Sequence, residues 1–265
     1  MTKYGQLVES DVTTFLQKQT KTLTKIKMNI TIVIPTYNEK DTLPSLIAKL
    51  TNEVKRIAEK FSIIIMDDAS PDGTGKIAED LNKKYKNITV IERPSKLGLG
   101  SAYKQGFQIA LDRFDSDYVV QMDADHSHDP KEISLMADKI IDHDYVVASR
   151  HLPGSSIIGW GSGRKLLHSM AGKFAKGCAQ LEISDPTSGF RMFKKSVLNA
   201  VNFSEIKSEG FAFQVELLCY LRRKGLHGIE IPTIFVNRKL GKSKMNLREV
   251  IQFSKMCINL LRNRI

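Results

Sequence analysis

A chain of 265 residues, 42% of them hydrophobic, is long enough to bury a full core without disulfide support. Its three cysteines, Cys178, Cys219 and Cys257, are far apart and odd in number, which excludes a disulfide framework or a zinc spacing and predicts a reducing compartment. The formal net charge of +11 calls for an anionic partner, and no run of about 18 apolar residues is present to cross a bilayer.

Residues 1–28 read as an N-terminal extension: polar, threonine-rich and without the apolar core of a signal peptide. Ile30 to Ile34 is β-branched and predicts a strand stopped by Pro35. Leu43, Leu46, Ile47, Leu50, Val54 and Ile57 follow at helical period. Ser62 to Met66 is a buried strand ending at Asp67 and Asp68, and Gly73-Thr74-Gly75 opens a second helix. Ile88 to Ile91 is a third strand, and Lys96 to Ser101 is a glycine loop leading into a helix over 102–114. Tyr118 to Met122 and Tyr145 to Ala148 are further strands, with a helix after Pro130 between them. Beyond Arg150 the spacing predicts helices over 161–175 and 211–223, and one strand over 228–236, placed at a sheet edge by Pro232. A closing amphipathic helix spans 247–264.

Strands that alternate with helices and are continuously apolar mean an α/β fold: a mostly parallel sheet flanked by helices. The expected division is an extension to residue 28, a catalytic domain over 29–245 and a terminal helix over 246–265. Ligands of such sheets sit beyond the carboxyl ends of the strands. Thr36 to Glu39, Asp67 and Asp68, Asp123 and Asp125, and Arg150 all fall there.

Asp123 and Asp125 follow a strand two residues apart, a spacing that lets both carboxylates face one Mg²⁺ or Mn²⁺. Such an ion holds a diphosphate and activates it as a leaving group. Ser127 is a third oxygen at the same interval; His126 and His128 are either further ligands or loop polarity. Lys96-Leu97-Gly98-Leu99-Gly100 is half of a dinucleotide fingerprint, but Tyr103 fills its last glycine place. That favours a tight turn into a helix and disfavours a Rossmann dehydrogenase. The cationic candidates are Arg150, Arg164, Arg191, Arg238 and Lys244. Arg238 to Lys244 sets four cations around Gly and Ser in seven residues, which favours a phosphate site over a plain basic loop. The closing helix lines up Leu247, Val250, Ile251, Ile258, Leu261 and Ile265, with Arg248, Lys255, Arg262 and Arg264 beside them; such a helix packs on a core or lies in a bilayer interface. Basic ends around an acidic middle fit a nucleotide enzyme on a membrane. They do not fit nucleic acid, whose backbone the carboxylates would repel.

Together, Pro35-Thr36-Tyr37-Asn38-Glu39, Asp67 through Thr74, Gly98-Leu99-Gly100, Asp123 through Pro130, Ser149-Arg150, Asp185 through Arg191 and Gly241-Lys242-Ser243-Lys244 resemble family 2 glycosyltransferases of GT-A fold, most narrowly the dolichol-phosphate mannose synthase group. The resemblance covers about Ile30 to Met245. It implies GDP-mannose as donor, dolichyl phosphate as acceptor, and an inverted product that serves protein glycosylation and GPI anchors. It implies that Pro35, Tyr37, Glu39 and Asp67 contact the nucleoside, and that Asp123 and Asp125 bind metal and diphosphate. Arg150, Arg164, Arg238 and Lys244 would surround the phosphates, the last two nearest the acceptor. Asp68, Lys96, Ala124 and Arg191 join the substrate-binding set. Two positions depart from the pattern: Ser127 stands where some relatives have Gln, and His168 where a serine follows the Arg164 position. The implied location is the cytosolic face of the endoplasmic reticulum, or the plasma membrane in a prokaryote. Attachment there would be through the terminal helix, small transmembrane subunits, or both. The rival expectations are a polyprenyl-phosphate glucosyltransferase using UDP-glucose and a non-catalytic nucleotide-sugar-binding subunit.

Overall fold

The computed structural model describes residues 28–237 and 247–262. Residues 1–27 of the N-terminal extension and the cationic segment Arg238 to Met245 lie outside the described residues.

Nine strands form two sheets among the described residues. They are β1 (Asn29–Thr36), β2 (Lys60–Asp67), β3 (Ile88–Glu92), β4 (Tyr118–Gln121), β5 (Tyr145–Ser149), β6 (Ser156–Ile158), β7 (Arg191–Lys194), β8 (Gly228–Pro232) and β9 (Ile234–Val236). The main sheet has seven strands in the order β3-β2-β1-β4-β7-β5-β8. All neighbours are parallel except β7, which runs against both β4 and β5. A parallel pair, β6 and β9, makes the small second sheet.

Period-2 alternation sorts the side chains of each strand onto two faces. Ile30, Ile32 and Ile34 of β1 pack with helices α1 (Leu43–Val54), α2 (Thr74–Tyr85) and α4 (Glu132–Lys139). Val33 faces the other way. There it meets α3 (Leu99–Arg113), in a core shared with α5 (Ser162–Ala179), α6 (Lys195–Asn199), α7 (Phe213–Arg223) and α8 (Leu247–Arg262). Both faces of the strands are covered, which is why they read as unbroken apolar runs. Gly106 lets α3 settle on the sheet: a Cβ there would stand 2.4 Å from Val33 Cγ1.

Several expectations need correction. Pro35 does not stop β1: the strand continues to Thr36 against β2, while pairing with β4 has ended at Val33, so the missing N–H interrupts no ladder on that side. The single strand expected over 228–236 is two, broken at Thr233 and belonging to different sheets; β8 is the edge strand that Pro232 predicts. β6, β7 and α6 carried too little periodicity to be read in advance. The three cysteines are buried and form no disulfide. No helix among the described residues is long and apolar enough to cross a membrane.

The closing helix departs most. Its inward face is Met256, Cys257 and Leu260, with Phe253 and Leu261 packed alongside. Val250, Ile251 and Ile258, expected on the same stripe as Leu261, are instead exposed. The helix therefore packs on the core with one side and shows apolar surface on another.

Candidate active site

The chain order of the sheet reverses between β1 and β4, and the carboxyl ends of these neighbours meet at the switch point where sheets of this kind form their binding crevice. Three connections leaving this edge pass through a left-handed non-glycine residue: Asn38 at φ 56°, Ala69 at φ 52° and His126 at φ 61°. Backbone of this kind is uncommon and concentrates at binding sites.

Asp123 and Asp125 follow β4. Tyr103 of α3, fully buried, donates its hydroxyl to Asp123 Oδ1 at 2.9 Å. Burial first, and then the Asp123 charge, hold the phenol pKa well above its ordinary value, so Tyr103 remains a donor. The Asp123 amide donates to His128 Nδ1 at 3.3 Å, and the His128 ring stacks on Phe190 with centroids 4.9 Å apart. Burial lowers the His128 pKa. Its neutral ring therefore accepts through Nδ1 and carries its proton on Nε2. His126 turns away, its Nε2 2.7 Å from Ser45 Oγ on α1. Neither histidine takes its place as an added ligand: one supports the Asp123 backbone and the other anchors the loop to α1. The Ser127 amide donates to Asp125 Oδ1 at 3.0 Å, and Ala124 is buried between the two carboxylates in sequence. A Cβ at position 189 would stand 3.0 Å from Asp123 Oδ2, so any side chain there would crowd that oxygen. Two oriented carboxylates two residues apart are a fitting hard-oxygen set for Mg²⁺ or Mn²⁺. The sequence reading missed Tyr103, recording it only as a failed glycine; nothing local marks a tyrosine as the partner of a carboxylate twenty residues on. Tyr103→Phe is expected to weaken Mn²⁺ binding by about tenfold or more, measured by calorimetric titration with nucleotide present.

At the ends of β1 and β2, Asp67 receives Thr36 Oγ1 at 2.7 Å, the Ser70 amide at 2.9 Å and Ser70 Oγ at 2.6 Å. Glu39, buried, accepts from Thr42 Oγ1 at 3.1 Å. Pro35 and Tyr37 are half-buried beside them, and Lys96 sets its ammonium 4.1 Å from the centre of the Tyr37 ring. Asp68 is different. Its carboxylate pairs with Arg93, itself buried and bonded to Gln105 and Ser101, and also accepts the Gly98 amide at 3.2 Å. Burial raises the Asp68 pKa despite Arg93. The pair fastens the glycine loop rather than facing the crevice. Gly98, at φ 100°, and Gly100 serve that packing: the amides of Gly100 and Ser101 both donate to Glu209 O, so the start of α3 is already capped from within.

Across the crevice lie the arginines. Arg150 grips Asp185 with two guanidinium bonds, Nε at 2.7 Å and Nη2 at 2.8 Å, and adds its own amide at 3.0 Å. Burial alone would raise the Asp185 pKa, but Arg150 overrides it and holds the carboxyl well below the usual range. Arg164 stacks over Trp160 at 4.2 Å and donates to Asn237 Oδ1 at 3.3 Å. Arg191 is fully buried and donates to the Gln214 and Pro186 carbonyls, with burial pulling its pKa to about 10. In this structure it props the 185–191 turn from inside, out of reach of a ligand, contrary to its expected substrate contact. Arg238 and Lys244 lie outside the described residues.

His151, His168 and Asp185 also bring ligand atoms within 4.8 Å of one another. Both Asp185 oxygens are already engaged, by Arg150 and by Thr187 Oγ1, and the Arg150 charge opposes a divalent ion there. Burial, then Arg150, lowers the His168 pKa to about 4, leaving a neutral ring against Trp160 at 5.1 Å. The Asp123–Asp125 pair, oriented by the Tyr103 hydroxyl and the Ser127 amide, is the stronger candidate for a metal.

Comparison with known proteins agrees with this geometry. The model of the family described as Glycosyl transferase family 2 matches residues 31–201. The chain is 35% identical over 219 residues to an undecaprenyl-phosphate mannosyltransferase of Micrococcus luteus, covering 83% of this chain and 88% of that protein. It is 36% identical over 225 residues to a polyprenol monophosphomannose synthase of Mycolicibacterium smegmatis, covering 83% of each. Among solved structures, glucosyl-3-phosphoglycerate synthase of Mycobacterium tuberculosis, in complex with Mn²⁺, UDP-glucose and phosphoglyceric acid, aligns with TM-score 0.62 at 20% identity, over 91% of this chain and 80% of that one. Mannosyl-3-phosphoglycerate synthase of Rubrobacter xylanophilus aligns with TM-score 0.62 at 18% identity, over 89% and 74%. These structures share the GT-A fold of this chain.

Proposed function

We propose that this chain, which belongs to glycosyl transferase family 2, transfers mannose from GDP-mannose to a polyprenyl phosphate with inversion, giving a β-linked mannosyl phosphate lipid. The substrate classes are supported by the two relatives, both polyprenyl-phosphate mannose enzymes by name. One observation supports the chemistry: the Asp123–Asp125 loop, oriented by Tyr103 and His128, is tied through Val236 to the strand whose following residue, Asn237, holds Arg164.

A phosphate acceptor is an anion at neutral pH and needs no general base, so the side chains have to position and screen. Pro35, Tyr37, Glu39 and Asp67 would line the nucleoside. Asp123 and Asp125 would hold Mg²⁺ or Mn²⁺, which when bound neutralises the departing diphosphate. Arg164, Arg238 and Lys244 would draw the acceptor phosphate to the far face of the anomeric carbon, and a single in-line displacement follows. The two relatives are bacterial, and they favour the plasma membrane over the endoplasmic reticulum.

The membrane side of the proposal is supported by exposed apolar surface. On α5, Leu166, Leu167, Met170 and Phe174 are 63%, 70%, 60% and 50% exposed, and α8 adds Val250, Ile251 and Ile258. Burying one such side chain in a bilayer interface is worth about 1.5–3 kcal/mol. Leu166→Asp with Leu167→Asp is therefore expected to cut binding to anionic vesicles at least ~10-fold, read by co-sedimentation; unchanged sedimentation removes α5 from the membrane face.

The test of the function itself is transfer of labelled mannose from GDP-mannose to a polyprenyl phosphate, with UDP-glucose as the competing donor and EDTA in a parallel arm. Mannose transfer abolished by EDTA and restored by Mn²⁺ is the expected result. Preference for UDP-glucose establishes the glucosyl rival, and no turnover with either donor establishes the binding subunit.

A further inference from the structure

Strand β9 joins the two sides of the crevice. Its Val236 amide donates to Ser127 O at 3.3 Å, on the metal-side loop. Its Phe235 ring lies 6.1 Å from His128, 5.3 Å from Trp160 and 5.2 Å from the Arg150 guanidinium. The next residue, Asn237, offers Oδ1 to Trp160 Nε1 and Arg164 Nη1, each at 3.3 Å, and the segment with Arg238 and Lys244 follows directly. β9 belongs to a two-stranded sheet of three-residue strands, which is marginal by itself. Something else must fix it.

That fixing point is Thr233–Ile234, where the chain leaves the main sheet. Glu132 of α4 accepts Thr233 Oγ1 on Oε2 at 2.6 Å and the Ile234 amide on Oε1 at 3.0 Å, across a hundred residues of chain. Glu132 begins only five residues after Ser127, and its own amide is bonded to Asp129 O at 3.0 Å. We infer that Glu132 is a positioning residue that holds β9, and with it Asn237 and its partner Arg164, in register with the Asp123–Ser127 loop. The inference rests on the reading above that Arg164 and the cations that follow β9 in the sequence receive the acceptor phosphate. Burial pushes the Glu132 pKa up to about 7, so its neutral form is within reach near neutrality. A glutamine can stand in for that form: its carbonyl accepts from Ile234 and its amide donates to the Thr233 hydroxyl, which can reverse.

The experiment compares Glu132→Ala, Glu132→Gln and Thr233→Val with the Arg238→Ala, Lys244→Ala double variant. KM is measured for polyprenyl phosphate and for GDP-mannose, and melting temperature in parallel. Glu132→Ala and Thr233→Val are expected to raise the acceptor KM about tenfold or more and leave the donor KM within about twofold, with Glu132→Gln near the native values. Equal rises in both KM values, or an unchanged acceptor KM, overturn the inference. If Glu132→Ala melts far below the native protein, Thr233→Val alone decides, since it removes one hydroxyl at nearly constant volume. A double cation variant with an unchanged acceptor KM refutes the underlying reading. A raised KM there, with unchanged values in Glu132→Ala and Thr233→Val, refutes only the role of Glu132.

Discussion

Replacing Asp123 and Asp125 together by alanine is expected to reduce mannose transfer on the order of 1000-fold or more, the scale on which preorganised stabilisation of a departing anion contributes. The physical reason is repulsion: a phosphate nucleophile approaches a diphosphate donor, and the two carboxylates hold the charge that screens it. Alanine at 123 also strips the acceptor from the Tyr103 hydroxyl, which is fully buried. That loss alone costs about 1–3 kcal/mol of stability. Asp123→Asn with Asp125→Asn is the matched control, because the amide oxygen still accepts from Tyr103 while the charge is gone. Single-turnover rates of folded samples are the measurement. Undiminished turnover in the asparagine pair overturns the electrostatic account.

The second large effect is on stability. Arg150→Ala leaves the Asp185 carboxylate, 0% exposed, without its only ion-pair partner among the described residues, with the residue-150 amide and Thr187 Oγ1 still donating to it. Removing one member of a buried pair costs about 3–5 kcal/mol, a fall in Tm of roughly 10 °C for a domain of this size. The pH dependence changes sign with it. In the native protein the folded pKa of Asp185 lies below the unfolded value, so its contribution is present above the ordinary carboxylate range and is lost as pH falls toward the folded value. Without the Arg150 guanidinium, burial is opposed only by the residue-150 amide and the His151 charge, and the folded pKa is expected to rise above the unfolded one. The variant then binds more protons when folded, and it gains stability on acidification where the native protein loses it. Thermal melts between about pH 4 and pH 7 decide this, the range where an ordinary carboxyl and a raised one differ in charge. A melting temperature unchanged by Arg150→Ala, with activity lost, would restore Arg150 to the phosphate-contact role that its place after β5 suggests.

Much of the site was legible as a set of positions. Asp67, Asp123, Asp125 and Arg150 all leave the carboxyl ends of strands, and a parallel α/β sheet brings such ends together whatever the side chains do. What each charge does was not legible. Arg150 and Arg191 read alike as cations near phosphates, yet one clasps Asp185 and the other is buried among backbone carbonyls. Asp68 reads like Asp67, but its carboxylate is taken by Arg93, a residue without any motif of its own. Apart from Pro186, five residues before Arg191, these partners lie 23 to 35 residues away in the chain, and no local spacing encodes them.

The strand content divides in the same way. The buried parallel strands announce themselves because a strand covered on both faces must be apolar throughout. β7, four residues with Arg191 at one end and Lys194 at the other, has no such run, and only its position between β4 and β5 makes it a strand. α8 illustrates the limit from the other side. Its apolar residues were countable in the sequence, but a helix cannot say which of its faces meets the core until the neighbouring helix is in place. With α5 packed beside it, Met256, Cys257 and Leu260 turn inward while Val250, Ile251 and Ile258 are left outside. Periodicity, strand ends and the charges after them were thus determined by the sequence alone. Which charges pair, which are buried and which face the crevice was decided by tertiary contact, because the energy of a charge is set by what surrounds it and not by its neighbours in the chain.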